Sequence, residues 1–252
     1  MPIKAITFDF WQTLYSSKPV DFKKRIRQLQ GNVEQAAGLT LEPARFEGAV
    51  KVARDTWNRT WIEDHRTLNA GDWLAIILQQ LRISLDPGDQ LRIQTELENR
   101  ILTETPHLTS EAPAVLADLS ARYHLAIISD TGIIPGRALR QILAGDGLMG
   151  FFSHLTFSDE IGHSKPHPKA FLITLAALDV KPADSIHVGD LLRTDIAGAQ
   201  NVGMRGVQYT GLNHNGWPKT TDQAAVKRVS PDAVIGRHTE LKSLLQRWNN
   251  SA

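Results

Sequence analysis

In the second half of this chain, short apolar segments alternate with helical patterns, and this alternation restricts the possible folds more than any other feature. Buried strands are predicted at residues 124–129, 155–157, 185–188, 206–209 and 233–235. Helices are predicted between and around them, at residues 111–121, 135–143, 168–178, 194–202 and 240–248. Strands that alternate with helices form a parallel sheet with helices on both faces. The sequence therefore predicts an α/β fold.

A single strand at the start of the chain is separated from the others by a long helical stretch. Residues 3–8 are apolar and β-branched, which predicts a buried strand. Helices are then predicted at residues 22–37, 42–64, 71–81 and 86–102, with a return linker at 105–108. We predict a core domain of residues 1–15 and 107–252, and an inserted all-helical domain of residues 16–106. The polar segment 211–230 is predicted to be a surface loop.

Composition and charge exclude several classes of function. A net charge of +1 gives no reason to expect a nucleic acid or a membrane as partner. The chain contains no cysteine, which excludes disulfide bonds, thiolate catalysis and cysteine-ligated metals. The first predicted strand begins at residue 3 and leaves no room for a signal peptide, so a cytoplasmic location is expected. No oligomeric state can be predicted.

Reactive side chains stand at the ends of predicted strands or shortly after them, namely Asp9, Ser129, Lys165, Asp190 and Asp195. Because the carboxyl ends of parallel strands meet at one edge of a sheet, we expect these side chains to converge. Carboxylates that lie close together repel one another unless a cation lies among them, and oxygen ligands suit Mg²⁺. Simpler interpretations exist for each residue taken alone. Ser129 or Asp190 could cap a helix, Lys165 could be solvated, and Asp195 could only orient Lys165 or a metal-bound water.

Four stretches, in this order along the chain, resemble the haloacid dehalogenase-like hydrolase superfamily, which includes many phosphatases. They are Phe-Asp-Phe-Trp-Gln-Thr-Leu at 8–14, Ile-Ile-Ser-Asp at 127–130, Gly-His-Ser-Lys-Pro-His-Pro at 162–168 and Val-Gly-Asp-Leu-Leu-Arg-Thr-Asp-Ile-Ala-Gly-Ala at 188–199. The resemblance implies a Rossmann-like core and a helical cap, inserted after the first strand, that closes over the site. It also implies hydrolysis of a small phosphorylated metabolite with Mg²⁺ as cofactor.

The resemblance assigns expected roles to individual residues. Asp9 would attack phosphorus and form an aspartyl-phosphate, while Ser129 and Lys165 would offset charge on the phosphoryl oxygens. Substrate contacts are expected from Thr13, Ser129, Asp130 and Lys165. Metal contacts are expected from Asp9, the backbone carbonyl of Trp11, Asp190 and Asp195.

Trp11 departs from the family pattern, because phosphatases of the family usually carry a second Asp at this position as general acid and base. An indole has one N–H donor and no useful acidity, so Trp11 cannot transfer a proton at neutral pH. Three interpretations follow. The chain could be a Mg²⁺-dependent phosphatase whose acid comes from the cap, for example from Glu63 or His65. It could be a metal-independent 2-haloacid dehalogenase, a class with an aromatic residue here, although clustered carboxylates would repel a carboxylate substrate. It could also be a non-catalytic or regulatory binding protein.

The predicted cap contains aromatic and basic residues with two interpretations each. Trp57, Trp61 and Trp73 could form the core of the cap or a stacking surface for a ring-bearing substrate. Arg54, Arg59 and Arg66 could recognise a second anionic group or form a solvated face. The sequence does not identify the substrate.

Overall fold

The computed structural model describes residues 2–16, 22–212 and 229–250. Its strands are β1 (Ala5–Phe8), β2 (Tyr15–Ser16), β3 (His107–Leu108), β4 (His124–Ser129), β5 (His154–Phe157), β6 (Ser185–Gly189), β7 (Arg205–Tyr209) and β8 (Ala233–Ile235). Its α-helices are α1 (Phe22–Ala37), α2 (Pro43–Glu63), α3 (Ala70–Leu81), α4 (Pro87–Thr103), α5 (Ala112–Ser120), α6 (Gly136–Gly145), α7 (Ser158–Ile161), α8 (Pro168–Leu178), α9 (Ala197–Asn201) and α10 (Glu240–Asn250). A π-helical turn (Leu192–Ile196) leads into α9.

Six strands form one parallel sheet in the order β5-β4-β1-β6-β7-β8. Side chains alternate between the two faces, as the period of a strand requires. Ile127 packs into a cluster with Leu116 and Leu139 of α5 and α6, whereas its neighbour Ile128 packs with Phe171 of α8. Helices therefore cover both faces, and the prediction of an α/β fold with a Rossmann-like parallel sheet is confirmed.

The strand order determines where polar residues from distant parts of the chain meet. β1 lies between β4 and β6, with Phe8 opposite both Ile127 and Val188. The chain therefore leaves β1, β4 and β6 side by side at one edge of the sheet, after Phe8, Ser129 and Gly189. This edge is where open α/β sheets bind their ligands.

Helices α1 to α4 form what we call the helical unit, residues 22–103. It has a hydrophobic cluster of its own, in which Phe46, Ile77 and Ile93 are fully buried. Helix α3 begins with a capping box, because Asn69 accepts a hydrogen bond from the Asp72 amide and Asp72 accepts one from the Asn69 amide. The predicted division into two domains, with its boundaries, remains a prediction.

Two local predictions need correction. The predicted linker at 105–108 contains strand β3, whose His107 and Leu108 pair antiparallel with Ser16 and Tyr15 of β2. Strands of two residues are too short to show a periodic pattern, so no sequence signal marks this ribbon. The predicted helix at 194–202 begins instead with the π turn at Leu192, because the amide of Ile196 bonds to the carbonyl of Leu191 at 3.3 Å.

Most of the predicted surface loop at 211–230 lies outside the described residues. Within the described ranges, no helix is both long enough and apolar enough to span a membrane.

Candidate active site

The carboxylates of Asp9, Asp190 and Asp195, called here the carboxylate cluster, meet at the edge of the sheet. Asp9 follows β1, Asp190 follows β6, and Asp195 lies in the π turn that comes next. One oxygen from each carboxylate lies within 4.8 Å of the others, and all three residues are buried. The structure thus brings together the three carboxylates that the sequence placed at a shared edge.

Lys165 lies within this cluster and pairs with two of its members. Its Nζ donates to Oδ1 of Asp9 at 2.6 Å and to Oδ1 of Asp195 at 2.6 Å. The side chain is only 2% exposed, so these pairs are shielded from water. A fully ionised cluster with Lys165 keeps two negative charges, because one ammonium faces three carboxylates.

The close spacing of these buried charges raises the pKa of some side chains and lowers the pKa of others. Burial raises the pKa of Asp9 to about 7, although Lys165 acts in the opposite direction. Burial and the repulsion of Asp195 and Asp9 raise the pKa of Asp190 to about 9. Burial also acts to raise the pKa of Asp195, but Lys165 and His187 outweigh it and hold that pKa below its usual range. Burial acts to lower the pKa of Lys165, but its carboxylate neighbours raise it above the ordinary value.

These residues fit a divalent cation. A cation of charge +2 would balance the two negative charges that the ionised cluster keeps beside Lys165. Asp9 and Asp190, whose pKa values are raised, are the carboxylates whose ionised forms a cation would stabilise most. Closely spaced carboxylate oxygens of this kind are the ligands that Mg²⁺ takes in proteins.

Asp195 is held by partners that the sequence prediction missed. His187 on β6 lies with its Nε2 3.2 Å from Oδ1 of Asp195, and its Nδ1 lies 2.8 Å from the hydroxyl of Thr7. The amide of Leu191 donates to Oδ2 of Asp195 at 2.9 Å. A histidine between the apolar residues Ile186 and Val188 of β6 was the available signal that a polar partner lies beneath the cluster.

Ser129 is the last residue of β4 and Asp130 follows it, on the other side of Asp9. The hydroxyl of Ser129 is buried and donates to the backbone carbonyl of Asp130 at 3.3 Å. Asp130 accepts a hydrogen bond from the Lys165 amide at 2.8 Å on Oδ1 and one from the Trp61 indole at 2.8 Å on Oδ2. Burial raises the pKa of Asp130. Asp130 therefore connects the loop of Lys165 to the helical unit.

Trp11 and Thr13 lie in the turn that follows Asp9. The indole of Trp11 is half-buried and packs edge-on against Phe10, with the ring centroids 4.9 Å apart. The hydroxyl of Thr13 is fully buried and has no hydrogen-bond partner among the described residues. The expected metal contact through the Trp11 carbonyl stays a prediction.

The helical unit meets the core at what we call the junction, formed by Trp61, His65, Asp130, Ser164 and Arg193. The guanidinium of Arg193 lies 4.3 Å from the centre of the Trp61 ring. The amide of Ser164 donates to the carbonyl of His65 at 2.8 Å. Burial lowers the pKa of the half-buried His65, and the nearby positive charge of Arg193 lowers it further. No sequence pattern indicates that Arg193 contacts the helical unit.

The other candidate residues of the helical unit are its tryptophans, its arginines and Glu63. Trp73 belongs to the hydrophobic cluster of the unit, and Trp57 packs against it. Trp57 also stacks on Trp61, with centroids 5.3 Å apart. The side chains of Glu63 and of the three candidate arginines are exposed: Arg54, Arg59 and Arg66. Of the two residues suggested as an alternative acid, only His65 lies in the junction.

Comparison with known proteins adds to this geometry. Residues 3–203 match the model of one hydrolase family, described as haloacid dehalogenase-like hydrolase. The glyceraldehyde 3-phosphate phosphatase of Pyrococcus furiosus is 40% identical over 129 residues, which cover 51% of this chain and 50% of that protein. The ribulose-1,5-bisphosphate 5-phosphatase of Halopiger xanaduensis is 27% identical over 248 residues, covering 95% of this chain and 99% of that protein. The first of these alignments spans about half of the relative's length.

Among solved structures, the 2-haloacid dehalogenase of Pseudomonas syringae pv. Tomato DC3000 superposes with a TM-score of 0.67. The superposition covers 98% of this chain and 99% of that chain, at 24% identity. At this identity the likeness establishes the fold and carries no argument about the substrate.

Proposed function

This chain belongs to the haloacid dehalogenase-like hydrolases, and from that premise we propose that it is a Mg²⁺-dependent phosphatase that hydrolyses phosphate monoesters of small metabolites. The observation that carries the proposal is the buried pairing of Lys165 Nζ with Asp9 Oδ1 at 2.6 Å, beside Asp190 and Asp195. A nucleophilic carboxylate, an ammonium and two further acids in one buried group suit attack on an anionic phosphorus centre. The two relatives named as phosphatases support this choice of substrate class.

The proposed reaction has two steps. A carboxylate oxygen of Asp9 attacks phosphorus, the bond from phosphorus to the ester oxygen breaks, and an aspartyl-phosphate forms. Water then attacks the phosphorus of this intermediate, which releases inorganic phosphate and restores Asp9. Lys165 favours the ionised form of Asp9 that attack requires, because its ammonium opposes the effect of burial on the pKa. An ammonium has three N–H donors, of which Asp9 and Asp195 take two, so the third is directed to a phosphoryl oxygen.

Asp9, Asp190 and the backbone carbonyl of Trp11 would hold the Mg²⁺ ion. The ion would supply positive charge that offsets the charge developing on the phosphoryl oxygens. Asp195 contributes its negative charge from outside the direct ligands, because both of its oxygens already accept hydrogen bonds. Ser129, which is buried beside Asp130, would donate to another phosphoryl oxygen, and Thr13 supplies a buried hydroxyl in the loop after Asp9.

Trp11 determines which esters are hydrolysed fastest. Without an acid at this position, the leaving oxygen must depart without a proton or receive one from elsewhere. We therefore expect aryl phosphates, which have good leaving groups, to be hydrolysed faster than alkyl phosphates. His65 is the candidate proton donor for alkyl esters, because it lies in the junction whereas Glu63 is exposed. Its lowered pKa restricts this donation to acidic pH.

The test of the proposed function is phosphate release from a panel of aryl and alkyl phosphates, with Mg²⁺ and with a chelator. We expect Mg²⁺-dependent release that falls at least about 10³-fold in Asp9→Asn, which keeps the shape but removes the nucleophile. Asp184→Asn is the matched control, since Asp184 is also buried and ion-paired, with Lys4 at 3.2 Å, but precedes β6 at the opposite edge of the sheet. Halide release from a 2-haloacid without metal would identify a dehalogenase. Absence of both activities would favour the binding protein.

A further inference from the structure

The carboxylate of Asp195 is enclosed by donors on every side. Its Oδ1 is 2.6 Å from Lys165 Nζ and 3.2 Å from His187 Nε2. Its Oδ2 accepts from the Leu191 amide at 2.9 Å and from the Thr194 hydroxyl at 3.4 Å. A carboxylate offers about four lone-pair sites, so these partners occupy all of them. The orientation of Asp195 is thus determined by its neighbours.

The geometry of His187 identifies which of its nitrogens carries the proton. The ring is fully buried, and Nε2 faces an oxygen of a carboxylate that is held ionised. A bare lone pair on Nε2 would repel that oxygen, so Nε2 must carry a hydrogen and donate it to Asp195. In a neutral ring whose Nε2 carries the hydrogen, Nδ1 is an acceptor, and it lies 2.8 Å from the Thr7 hydroxyl.

Thr7 completes this arrangement from the neighbouring strand. Thr7 and His187 are paired in register between β1 and β6, and the Thr7 hydroxyl lies 2.8 Å from Nδ1. The single hydrogen of that hydroxyl has two acceptors within reach, Nδ1 at 2.8 Å and the Ile186 carbonyl at 3.2 Å, and the shorter distance favours donation to Nδ1. On the other side, Phe171 packs edge-on against the imidazole, with centroids 5.2 Å apart. The ring is therefore held both by a hydrogen bond and by packing.

We propose that His187, oriented by Thr7, is a positioning residue that fixes the Asp195 carboxylate and thereby holds the Lys165 ammonium against Asp9. The path runs from Thr7 to His187, Asp195 and Lys165, and each step is a buried hydrogen bond between side chains. Its catalytic consequence rests on the proposed phosphatase function. Without the His187 donor, Oδ1 of Asp195 keeps only its bond to Lys165, so the carboxylate and the ammonium beside it are fixed less precisely.

The experiment compares Thr7→Val, Thr7→Ser and His187→Phe in the full-length protein. Partners that orient a charged active-site group are worth about 10- to 100-fold in activity. We expect kcat/KM to fall by about that factor in His187→Phe and by about tenfold in Thr7→Val. Thr7→Ser, which keeps the hydroxyl, should stay within about twofold of the unsubstituted protein.

The matched control is Thr156→Val. Thr156 lies on β5 of the same sheet, is equally buried, and has a hydroxyl bonded to the hydroxyl of Thr174 at 2.7 Å. Its replacement removes a buried hydrogen bond of the same kind far from the path. If Thr156→Val loses as much activity as Thr7→Val, or if His187→Phe keeps full kcat/KM, the positioning role is refuted.

A second measurement does not depend on activity or on folding of the variants. Long-range ¹H–¹⁵N NMR spectra of the unsubstituted protein report which nitrogen of His187 carries hydrogen. We expect the Nε2–H form with unprotonated Nδ1, whereas an Nδ1–H form would overturn the proposal. Should the protein release no phosphate from any ester, the proposed function fails, and these spectra still decide whether His187 donates to Asp195.

Discussion

The carboxylate cluster and the junction lie next to each other but are held by different interactions. In the cluster, Asp9, Asp195 and Lys165 are joined by short ion pairs with almost no exposure to water. In the junction, the contacts are single hydrogen bonds and the stacking of Arg193 on Trp61. The first kind of contact is strong and costly to break on one side only, because an unpaired charge remains buried. The second kind costs far less to separate.

This difference indicates that the two regions have different roles. In the proposed reaction the cluster requires fixed positions, since Asp9 must reach phosphorus while Lys165 contacts a phosphoryl oxygen. The junction needs only enough stabilisation to keep the helical unit over the edge of the sheet. Substitutions in the cluster should therefore change turnover by orders of magnitude, and substitutions in the junction should change it by small factors.

The largest expected effect is a gain, and it tests whether the cluster lacks only a proton donor. Trp11→Asp places a carboxyl group two residues after Asp9, where it can protonate the leaving oxygen. We expect turnover of alkyl phosphates to rise by about 10²- to 10⁴-fold, the usual contribution of general acid catalysis. Initial rates with Trp11→Asn, which has a similar shape but no acid, provide the control. Unchanged or lower turnover in Trp11→Asp would contradict our interpretation of this position.

The second effect tests the strength of the charge pairing in the cluster. Lys165→Met leaves Asp9 and Asp195 buried without their ammonium, so we expect a loss of about 3–5 kcal/mol in the free energy of unfolding. Activity should fall about 10²- to 10³-fold, because a donor to the phosphoryl oxygens is lost. Urea unfolding and initial rates measure the two quantities.

The control for this substitution is Lys169→Met, which removes an exposed lysine whose Nζ donates to the Ile161 carbonyl at 2.9 Å. Its unfolding free energy should change by less than about 1 kcal/mol. Equal losses in both variants would mean that the buried pairs have no special strength, and the contrast between the two regions would disappear.

The third prediction tests the strength of the hydrogen bond between Trp61 and Asp130 in the junction. Trp61→Phe removes the N–H that bonds to Asp130 but keeps a ring beneath Arg193. A net hydrogen-bond contribution of about 1–1.5 kcal/mol predicts a fall of about five- to tenfold in kcat/KM. Trp73→Phe is the control, because Nε1 of Trp73 has no hydrogen-bond partner among the described residues. A fall as large as that of Lys165→Met would show that the junction is part of the chemistry.

The smallest expected effect tests how closely the helical unit packs against the core. A Cβ added at Gly132 would lie 3.0 Å from Nε1 of Trp57 and 3.5 Å from the Leu68 carbonyl. Gly132→Ala should shift the helical unit by a few tenths of an ångström and raise KM by less than about threefold. Gly145→Ala, which meets no atom within 4 Å, serves as the control for the same substitution in steady-state assays. An increase in KM above tenfold would indicate a rigid junction.

The cluster could be predicted from the sequence because its residues follow strands of a parallel sheet. Asp9 and Asp190 come directly after apolar segments, and the topology of such sheets brings strand ends to one edge. Lys165 is identified only through the resemblance to a family, since nothing in its local pattern separates it from a solvated lysine. The family membership and the α/β fold therefore follow from the amino-acid sequence alone.

The contacts of the junction and of His187 could not be predicted in the same way. Trp61 and Asp130 are 69 positions apart, and Thr7 and His187 are 180 apart. Such pairs depend on the strand order and on how the helical unit rests on the core, which no local pattern encodes. The π turn before α9 could not be predicted from a local pattern either. It is accompanied by a hydrogen bond from the Leu191 amide to the side chain of Asp195.

Asp130 has a consequence for any separation of the helical unit from the core. One of its oxygens bonds to the helical unit through Trp61 and the other bonds to the amide of Lys165, while Ser164 bonds to the carbonyl of His65. The amides of Ser164 and Lys165 are thus bound to the helical unit and to the aspartate that the helical unit contacts. Separation of the helical unit from the core would break the bonds of Ser164 to His65 and of Trp61 to Asp130, and would leave this loop bonded through Asp130 alone. The Lys165 ammonium would keep its pairs with Asp9 and Asp195, so the backbone of the loop would loosen while the charge beside Asp9 stays in place.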